Sequence, residues 1–191
     1  MMNGEKPSVE QLESTLRAAR HASNYGKALK STIYSLLVVA AVAILIATLV
    51  MPILHISGSS MTPVIGDGDI AAVLKGVDFD QGDIIAFYYS NKVLVKRVIA
   101  SGGEWVDMDT AGNVYVNGEL LDEPYLTDKA LGNCNIRLPY QVPEGKLFVM
   151  GDHRSTSADS RDQLIGPVSE EQIIGKIVFR VWPLNKIGFI K

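Results

Sequence analysis

The sequence predicts a mainly β fold, in which a single N-terminal transmembrane helix is followed by an all-β domain. One observation is a long apolar segment near the N-terminus, with no charged residue between Lys30 and Asp67. Another is a series of short runs rich in Val, Ile, Phe and Tyr, separated by turn residues, in the rest of the chain. These features divide the 191 residues into a leader (1–30), a transmembrane segment (31–56) and a β domain (57–191).

Residues 33–54 form the apolar part of the predicted transmembrane segment. As a helix this stretch reaches about 33 Å, enough to cross the hydrocarbon layer of a bilayer. A cleaved signal peptide is the alternative, but its apolar region is usually only about 7–15 residues long. The sequence MPILHISG that follows also contains no small-x-small cleavage site. We therefore predict a membrane anchor that stays in the protein.

The charges on either side of the apolar segment predict its orientation. Arg17, Arg20, Lys27 and Lys30 precede it, whereas the next basic residue after it is Lys75. The positive-inside rule then places the N-terminus in the cytoplasm. We expect a single-pass protein of the plasma membrane, in contact with the lipid bilayer, whose β domain is extracytoplasmic.

The leader has the pattern of a short amphipathic helix. Ser8 and Gln11 resemble a capping box, and apolar residues follow at helical spacing: Val9, Leu12, Leu16 and Ala19. Such a helix either lies against the membrane or a partner, or is solvated and serves only as a topology signal.

The β domain contains six candidate strands, at residues 70–74, 84–89, 93–100, 113–116, 146–150 and 174–182. Asn117-Gly118 supplies the two positive φ angles of a type I′ turn, so residues 114–121 are predicted to form a hairpin. Only residues 168–173, with SEEQ in their middle, indicate a short helical turn.

Charge and cysteine content exclude two further features. The net charge is −3 and the outer domain has no basic cluster, which argues against a nucleic-acid partner. Cys134 is the only cysteine, so no disulfide forms within the chain. The exported domain must be stabilised by its core alone.

A serine-rich segment just after the apolar stretch is the first candidate site. In Ser57-Gly58-Ser59-Ser60-Met61-Thr62-Pro63, glycine and small serines allow a sharp turn, and the proline stiffens its exit. Such a loop either presents a nucleophilic hydroxyl or is a flexible tether. The hydrolase patterns G-x-S-x-G and S-x-x-K are both missing from the sequence.

A serine nucleophile needs a base, and the chain offers two kinds. Of its three histidines, His21 lies on the predicted cytoplasmic side and His55 at the membrane edge, which leaves His153. A lysine is the other option, provided that burial lowers its pKa from about 10.4 toward the working pH.

Lys96 lies inside a predicted strand. The two-residue period places it on one face with Leu94 and Val98, and Arg97 on the other. A lysine in this position either extends to solvent from an edge strand or is buried for a functional reason. The pattern leaves both possibilities open.

Residues 151–162 form the third candidate segment. They combine three aspartates, several hydroxyl side chains and two arginines, which is typical of a loop held by ion pairs and side-chain hydrogen bonds. A solvated acidic loop is the alternative. The spacing of the aspartates does not match a calcium-binding loop.

Taken in order, these segments resemble the bacterial signal peptidase I family, over about residues 31–183. The matching motifs are Ser60-Met61-Thr62-Pro63, Gln81-Gly82-Asp83-Ile84-Ile85, Lys96-Arg97-Val98-Ile99, Val116-Asn117-Gly118, Glu123-Pro124-Tyr125, residues 151–161 and Ile174-Gly175-Lys176. The resemblance implies the β fold of the signal peptidase type for the outer domain.

The resemblance also implies a role for several residues. Ser60 is the nucleophile and Lys96 its general base. The oxyanion hole uses the amides of Ser60 and Gly58, Ser157 orients the Lys96 amine by a hydrogen bond, and Asp159 pairs with Arg161 to hold the loop. The reaction is removal of signal peptides from exported preproteins after small residues, of the Ala-x-Ala type, through an acyl-enzyme. No metal or cofactor is implied.

Three positions depart from the family pattern. His153 replaces asparagine, Gln81 replaces arginine, and Ala100-Ser101-Gly102-Gly103-Glu104 replaces a Gly-x-Pro-Gly-Asp turn. His153 keeps a Ser-His mechanism open. Two other functions are also compatible with the sequence: a self-cleaving Ser-Lys protease, and a catalytically silent, membrane-anchored β domain that binds exported proteins. The second of these is expected to have lost Ser60 or Lys96.

Overall fold

The structure, a computed structural model, describes residues 8–190, except for the side chains of helix residues 11, 15, 16, 18–25 and 46. The structure therefore does not describe the side chains of three residues in the predicted amphipathic pattern: the capping-box residue Gln11 and the apolar residues Leu16 and Ala19. The chain divides into two compact units, at residues 1–47 and 48–191.

The N-terminal helix, α1, spans Val9–Val50. The part of the leader from Val9 onward and the apolar segment are thus one continuous helix. Its part Gly26–Val50 has a mean hydropathy of 2.8 and is long and apolar enough to cross a membrane. The helix ends before the predicted boundary at residue 56, because Pro52 has no amide hydrogen and disfavours helical backbone at Met51.

Twelve strands lie in the described part of the chain after α1. They are β1 (Ile53–His55), β2 (Ile70–Leu74), β3 (Ile84–Tyr89), β4 (Lys92–Ala100), β5 (Trp105–Met108), β6 (Val114–Val116), β7 (Glu119–Leu120), β8 (Tyr140–Gln141), β9 (Lys146–Met150), β10 (Val168–Ser169), β11 (Ile173–Trp182) and β12 (Gly188–Phe189). Two 3₁₀ turns, at Glu170–Gln172 and Leu184–Lys186, interrupt the C-terminal strands.

The strands form two antiparallel sheets. The larger has eight strands in the order β1-β2-β11-β3-β4-β9-β10, with β12 paired to β11, and the smaller has four in the order β7-β6-β5-β8. The mainly β fold behind one apolar helix, as predicted from the sequence, is confirmed.

All six predicted strands are present, three of them with the predicted ends. The hairpin is confirmed too, with positive φ at Asn117 (54°) and Gly118 (84°), and the helical turn is present at Glu170–Gln172. The sequence did not predict β1, β5, β8, β10 and β12, because segments of two to four residues are too short to show a clear alternation.

The middle of the larger sheet is buried on both faces. Along β3, Ile84 and Ala86 pack in one apolar cluster, whereas Ile85 and Phe87 pack in a second cluster on the opposite face. Since β4 lies between β3 and β9, its second half is shielded on both faces and along both edges. Polar side chains on this half of β4 are therefore removed from water.

Candidate active site

Ser60 lies on a loop of residues 56–69, called here the Ser60 loop, which joins β1 to β2. At its base the Ile56 amide donates to the Asp69 carbonyl at 2.8 Å, and the Gly68 amide donates to the Ile56 carbonyl at 3.0 Å. Met61 and Ile65 are buried in the apolar core below the loop. The loop is thus closed at its base and fixed from beneath, rather than a free tether.

The Lys96 Nζ atom lies 2.8 Å from Ser60 Oγ. Lys96 is only 3% exposed, because β4 is an inner strand, so the alternative of a lysine reaching solvent from an edge is wrong. No carboxylate of the described residues forms an ion pair with it. The structure therefore brings together the two residues proposed from the sequence as nucleophile and base.

Burial lowers the pKa of Lys96. The negative charges of Asp159 and Asp152 oppose this effect, and the positive charge of Arg161 adds to it. Burial is the largest of these influences, so the net direction is toward a neutral amine. A neutral amine in contact with a hydroxyl group is able to accept its proton.

Arg97, the next residue of β4, is held by different groups. Its Nε and Nη2 atoms donate to the two carboxylate oxygens of Asp152, at 2.9 and 2.7 Å. Nη1 donates to the Gly82 carbonyl at 2.6 Å, and the guanidinium lies 3.9 Å from the ring centroid of Tyr125. The alternation predicted from the sequence thus directs Lys96 and Arg97 to separate sites.

Residues 151–162 form a loop whose charged groups are mostly buried; it is called here the 151–162 loop. Arg161 donates from Nε and Nη2 to the two oxygens of Asp159, both at 2.8 Å, and neither side chain is exposed. Burial alone would raise the pKa of Asp159, but Arg161 and the Gly151 amide outweigh it and hold this pKa below its usual value. The solvated acidic loop considered from the sequence does not match this structure.

The 151–162 loop approaches the backbone of Ser60 directly. The His153 amide donates to the Ser60 carbonyl at 3.0 Å. A Cβ atom added at Gly151 would lie 2.5 Å from the Ser60 carbonyl oxygen and would also collide with the Ser157 hydroxyl group. Only glycine fits at this position, so the 151–162 loop packs closely against the Ser60 loop.

The predicted hydrogen bond between Ser157 and Lys96 is absent from this structure. The Ser157 side chain is buried and close to Asp159, yet its hydroxyl group makes no well-aligned hydrogen bond with any described residue. The Lys96 amine instead donates to Ser60. The Ser157 hydroxyl group thus lies buried next to Asp159 and on the same side of Gly151 as the Ser60 carbonyl group.

The predicted oxyanion hole is only half open. The Gly58 amide donates to Asp67 Oδ1 at 2.7 Å, so it is not free to bind a developing oxyanion in this conformation. The Ser60 amide has no hydrogen-bond partner among residues 8–190. The carboxylate of Asp67 was missed by the sequence analysis, because nothing in its local sequence indicated that it reaches back across the loop.

His153 does not contact the Ser60 side chain within the described structure. Its Nδ1 atom lies 2.5 Å from Thr156 Oγ1 and 3.5 Å from Ser155 Oγ, both on its own loop. The geometry therefore favours Lys96 over His153 as the partner of Ser60.

Glu123 is a further buried acidic residue. The sequence analysis named it only as part of a motif. It accepts hydrogen bonds from both Nη atoms of Arg154 and, at 3.1 Å, from the Tyr125 hydroxyl group. Since Arg154 Nε also donates to the Gly151 carbonyl, Glu123 ties the segment after β7 to the 151–162 loop.

A cleft leads to the Ser60 and Lys96 pair. It is lined by residues 54–58, 60, 61 and 93–96, which come from β1, the Ser60 loop and the first half of β4. Its lining combines apolar side chains of Leu54, Ile56, Met61 and residues 93–95 with polar groups at His55, Ser57 and the pair itself. Among residues 8–190, no group of three or more His, Cys, Asp or Glu side chains is arranged to hold a metal ion.

Comparison with known proteins gives consistent matches over most of the chain. The family model described as signal peptidase, peptidase S26, matches residues 29–182. Signal peptidase I of Bacillus amyloliquefaciens is 33% identical over 97% of this chain and 97% of its own length. Signal peptidase IB of Staphylococcus aureus (strain MRSA252) is 32% identical over 85% of this chain and 94% of its own length.

Solved structures also align with the chain, among them a signal peptidase I from Enterococcus faecalis V583. It is 30% identical, covers 52% of this chain and 97% of its own chain, and has a TM-score of 0.43.

Proposed function

The chain belongs to the signal peptidase family, peptidase S26, and on this premise we propose that it removes signal peptides with Ser60 as nucleophile and Lys96 as general base. The observation that carries the proposal is the 2.8 Å contact between Ser60 Oγ and the buried Lys96 Nζ. The substrates are exported preproteins that still bear their signal peptides.

In the proposed reaction the neutral Lys96 amine takes the Ser60 proton as Oγ attacks the scissile carbonyl carbon. The protonated amine then gives this proton to the leaving amino group of the mature protein, and the signal peptide remains as an ester on Ser60. Water, deprotonated by the same amine, then attacks the ester, and the protonated amine returns a proton to Ser60 Oγ as the signal peptide is released. One buried lysine thus acts as base and then as acid in each of the two stages.

The oxyanion that forms on the scissile carbonyl is stabilised by the Ser60 amide, which has no other partner in the described residues. Position 58 contributes no hydroxyl group, since it is a glycine. Its amide contributes only if it leaves Asp67 when the substrate binds.

Ser157 and the Asp159–Arg161 pair have supporting roles in this proposal. The unpaired Ser157 hydroxyl group is available to bind the Lys96 amine once Ser60 has given up its proton. The buried ion pair holds the 151–162 loop, and with it Ser157, against Ser60.

The cleft beside the pair is proposed to accept the residues that precede the cut. Its small volume, about 90 Å³, favours small side chains, which supports cleavage after an Ala-x-Ala sequence. No cofactor or metal has a role in this mechanism.

We further propose that residues 57–191 lie outside the plasma membrane and that the leader lies in the cytoplasm. This rests on the excess of Lys and Arg before the apolar segment of α1. The partners are then the lipid bilayer and exported preproteins, and no nucleic acid.

The test is cleavage of a synthetic peptide that ends its signal sequence in Ala-x-Ala, by the full chain purified in detergent. Ser60→Ala is expected to abolish cleavage with the fold preserved, whereas Ser59→Ala, one residue away and exposed, retains substantial activity. If cleavage survives in Ser60→Ala and is lost in Ser59→Ala, the nucleophile is Ser59 and the proposed assignment is wrong.

A further inference from the structure

The Ser60 loop is closed by one side chain as well as by its backbone. The Asp67 carboxylate accepts the Gly58 amide at 2.7 Å, across nine residues of sequence. Both residues are exposed, so this contact is not a consequence of core packing. A hydrogen bond from an amide to a charged carboxylate is stronger than one between neutral groups.

The segment on the N-terminal side of Ser60 has few other attachments. Among the amides of residues 57–59, only that of Gly58 makes a hydrogen bond within the described part of the chain. After Ser60 the loop is held at several points: the Ile65 amide donates to the Met61 carbonyl at 2.8 Å, and Met61 and Ile65 are buried. The Ser59 carbonyl accepts from the Thr62 amide and hydroxyl group, and the contact with Asp67 is the attachment of the residues before it.

Gly58 has a conformation that needs such an attachment. Its φ angle is +100°, in the region that other residues rarely adopt, yet a Cβ atom added there would have nothing within 4 Å. Steric packing therefore does not select this conformation. Glycine makes it accessible, and the hydrogen bond to Asp67 selects it from the many that glycine can adopt.

We propose that Asp67 is a positioning residue, which holds Gly58 in this conformation and so sets the direction in which the Ser60 amide and hydroxyl group are presented. The inference rests on the proposed function of Ser60 as nucleophile. Asp67 does not touch the reacting atoms and acts through the backbone of residues 58–60.

The opposite role, in which Asp67 blocks the Gly58 amide, predicts a different change in kcat. If Asp67 withheld the Gly58 amide from the oxyanion, removing its carboxylate would free a donor and raise kcat. The positioning role predicts a fall in kcat instead, because a misdirected nucleophile and oxyanion donor lose transition-state stabilisation. The sign of the change separates the two.

The first experiment compares three variants in the peptide cleavage assay. Asp67→Ala is expected to lower kcat roughly tenfold with KM changed by less than about twofold, and to leave the thermal midpoint near that of the unmodified protein. Asp67→Asn retains most of kcat, since its side-chain oxygen still accepts the Gly58 amide. Asp78→Ala, the same change at an exposed aspartate outside the loop, matches the unmodified protein.

Two results of this comparison would overturn the proposal. One is a kcat for Asp67→Ala that equals or exceeds that of the unmodified protein. The other is an equal loss in Asp67→Asn and Asp67→Ala, which would make the charge, and not the hydrogen bond, the property that matters.

A double-mutant cycle tests whether Asp67 acts through Gly58. Gly58→Ala introduces no collision within the protein, and at a φ angle of +100° its methyl group strains the backbone conformation that Asp67 selects. If both residues serve the same conformation, the double variant loses less than the product of the two single losses. Independent, multiplicative losses would contradict the proposal.

Hydrogen exchange of the Gly58 amide, followed by NMR on the full chain in detergent, needs no substrate. Faster exchange in Asp67→Ala than in the unmodified protein and Asp67→Asn is expected, and unchanged exchange would overturn the attachment itself. A protein that fails to cleave any signal peptide, but shows this exchange pattern, would refute the proposed function and leave the contact between Asp67 and Gly58 in place.

Discussion

Lys96 and Arg97 are adjacent basic residues on β4, and the two faces of this strand give them opposite chemistry. Both are almost completely buried, at 3% and 2% exposure. Arg97 meets a carboxylate, since Asp152 accepts two of its hydrogen bonds. Within the described residues, Lys96 forms its hydrogen bond with the neutral hydroxyl group of Ser60. The difference between them therefore lies in the partner and not in the depth of burial.

β4 thus carries a structural cation, Arg97, on one face and a proposed base, Lys96, on the other. Removing a charge from water costs free energy unless an opposite charge offsets it. On the Arg97 face the Asp152 carboxylate provides that offset, and guanidinium in any case stays protonated. On the Lys96 face the nearest carboxylates, Asp152 and Asp159, pair with arginines, so their charges offset burial only in part and the pKa of the amine is lowered.

Replacing Lys96 removes the proposed base and has the largest expected effect. We expect Lys96→Ala and Lys96→Arg each to lower kcat/KM by about a thousandfold or more, because arginine cannot deprotonate in this pH range. Peptide cleavage measures the loss, and circular dichroism checks the fold. Lys92→Ala, at the exposed start of the same strand, is the control and keeps its activity. An active Lys96→Ala protein would refute the role of Lys96.

On the other face, removing the carboxylate from Arg97 is expected to act on stability. Asp152→Ala leaves a buried guanidinium without its partner, which costs about 3–5 kcal/mol of unfolding free energy. Urea denaturation of the full chain in detergent measures this change. Asp128→Ala, an exposed aspartate, is the matched control and should change stability by less than about 0.5 kcal/mol. Equal stability of the Asp152 variant and the control would show that Arg97 needs no partner.

The pH dependence tests the lowered pKa of Lys96 directly. Only the neutral amine accepts the Ser60 proton, so kcat/KM should rise with pH through an apparent pKa below the usual lysine value of about 10.4. Between these two pKa values the unfolded chain binds more protons than the folded protein, so stability also rises with pH across that interval.

The matched variant for this prediction is Lys96→Met, which keeps an apolar stem of similar length and removes the titrating group. Between the lowered pKa and about 10.4, the unfolding free energy should increase less with pH in this variant than in the unmodified protein. The difference is the contribution of the Lys96 amine. Identical pH profiles of stability for the two proteins would mean that burial does not lower the pKa of Lys96.

His153 is the test with the smallest expected effect. His153→Asn should keep activity within about twofold, because the contact of residue 153 with Ser60 uses its backbone amide, which asparagine retains. The histidine side chain contacts only Thr156 and Ser155 within the described residues. Two results together would favour the Ser-His mechanism: a large loss of peptide cleavage in His153→Asn, and an apparent pKa of activity near 6.5 in the unmodified protein that is absent from the variant.

Several parts of the fold and the site are readable from local sequence. The apolar segment is long enough to be recognised by composition, and strands of five or more residues show a hydrophobic pattern that locates their ends within one residue. The shortest strands are not readable in this way, because two to four residues are fixed by the neighbours they pair with. β1, for example, is a strand only because residues 53–55 lie beside β2.

The sequence by itself determined the mainly β class, the single apolar helix, and the identity of Ser60 and Lys96 as candidates for the dyad. Tertiary structure alone decided whether Lys96 is buried, because that depends on β3 and β9 lying on either side of β4. It also decided which groups face the dyad. Ser157 is buried near Ser60 because the 151–162 loop meets the Ser60 loop, and Gly58 gives its amide to Asp67 across nine residues of its own loop. No local pattern encodes either arrangement.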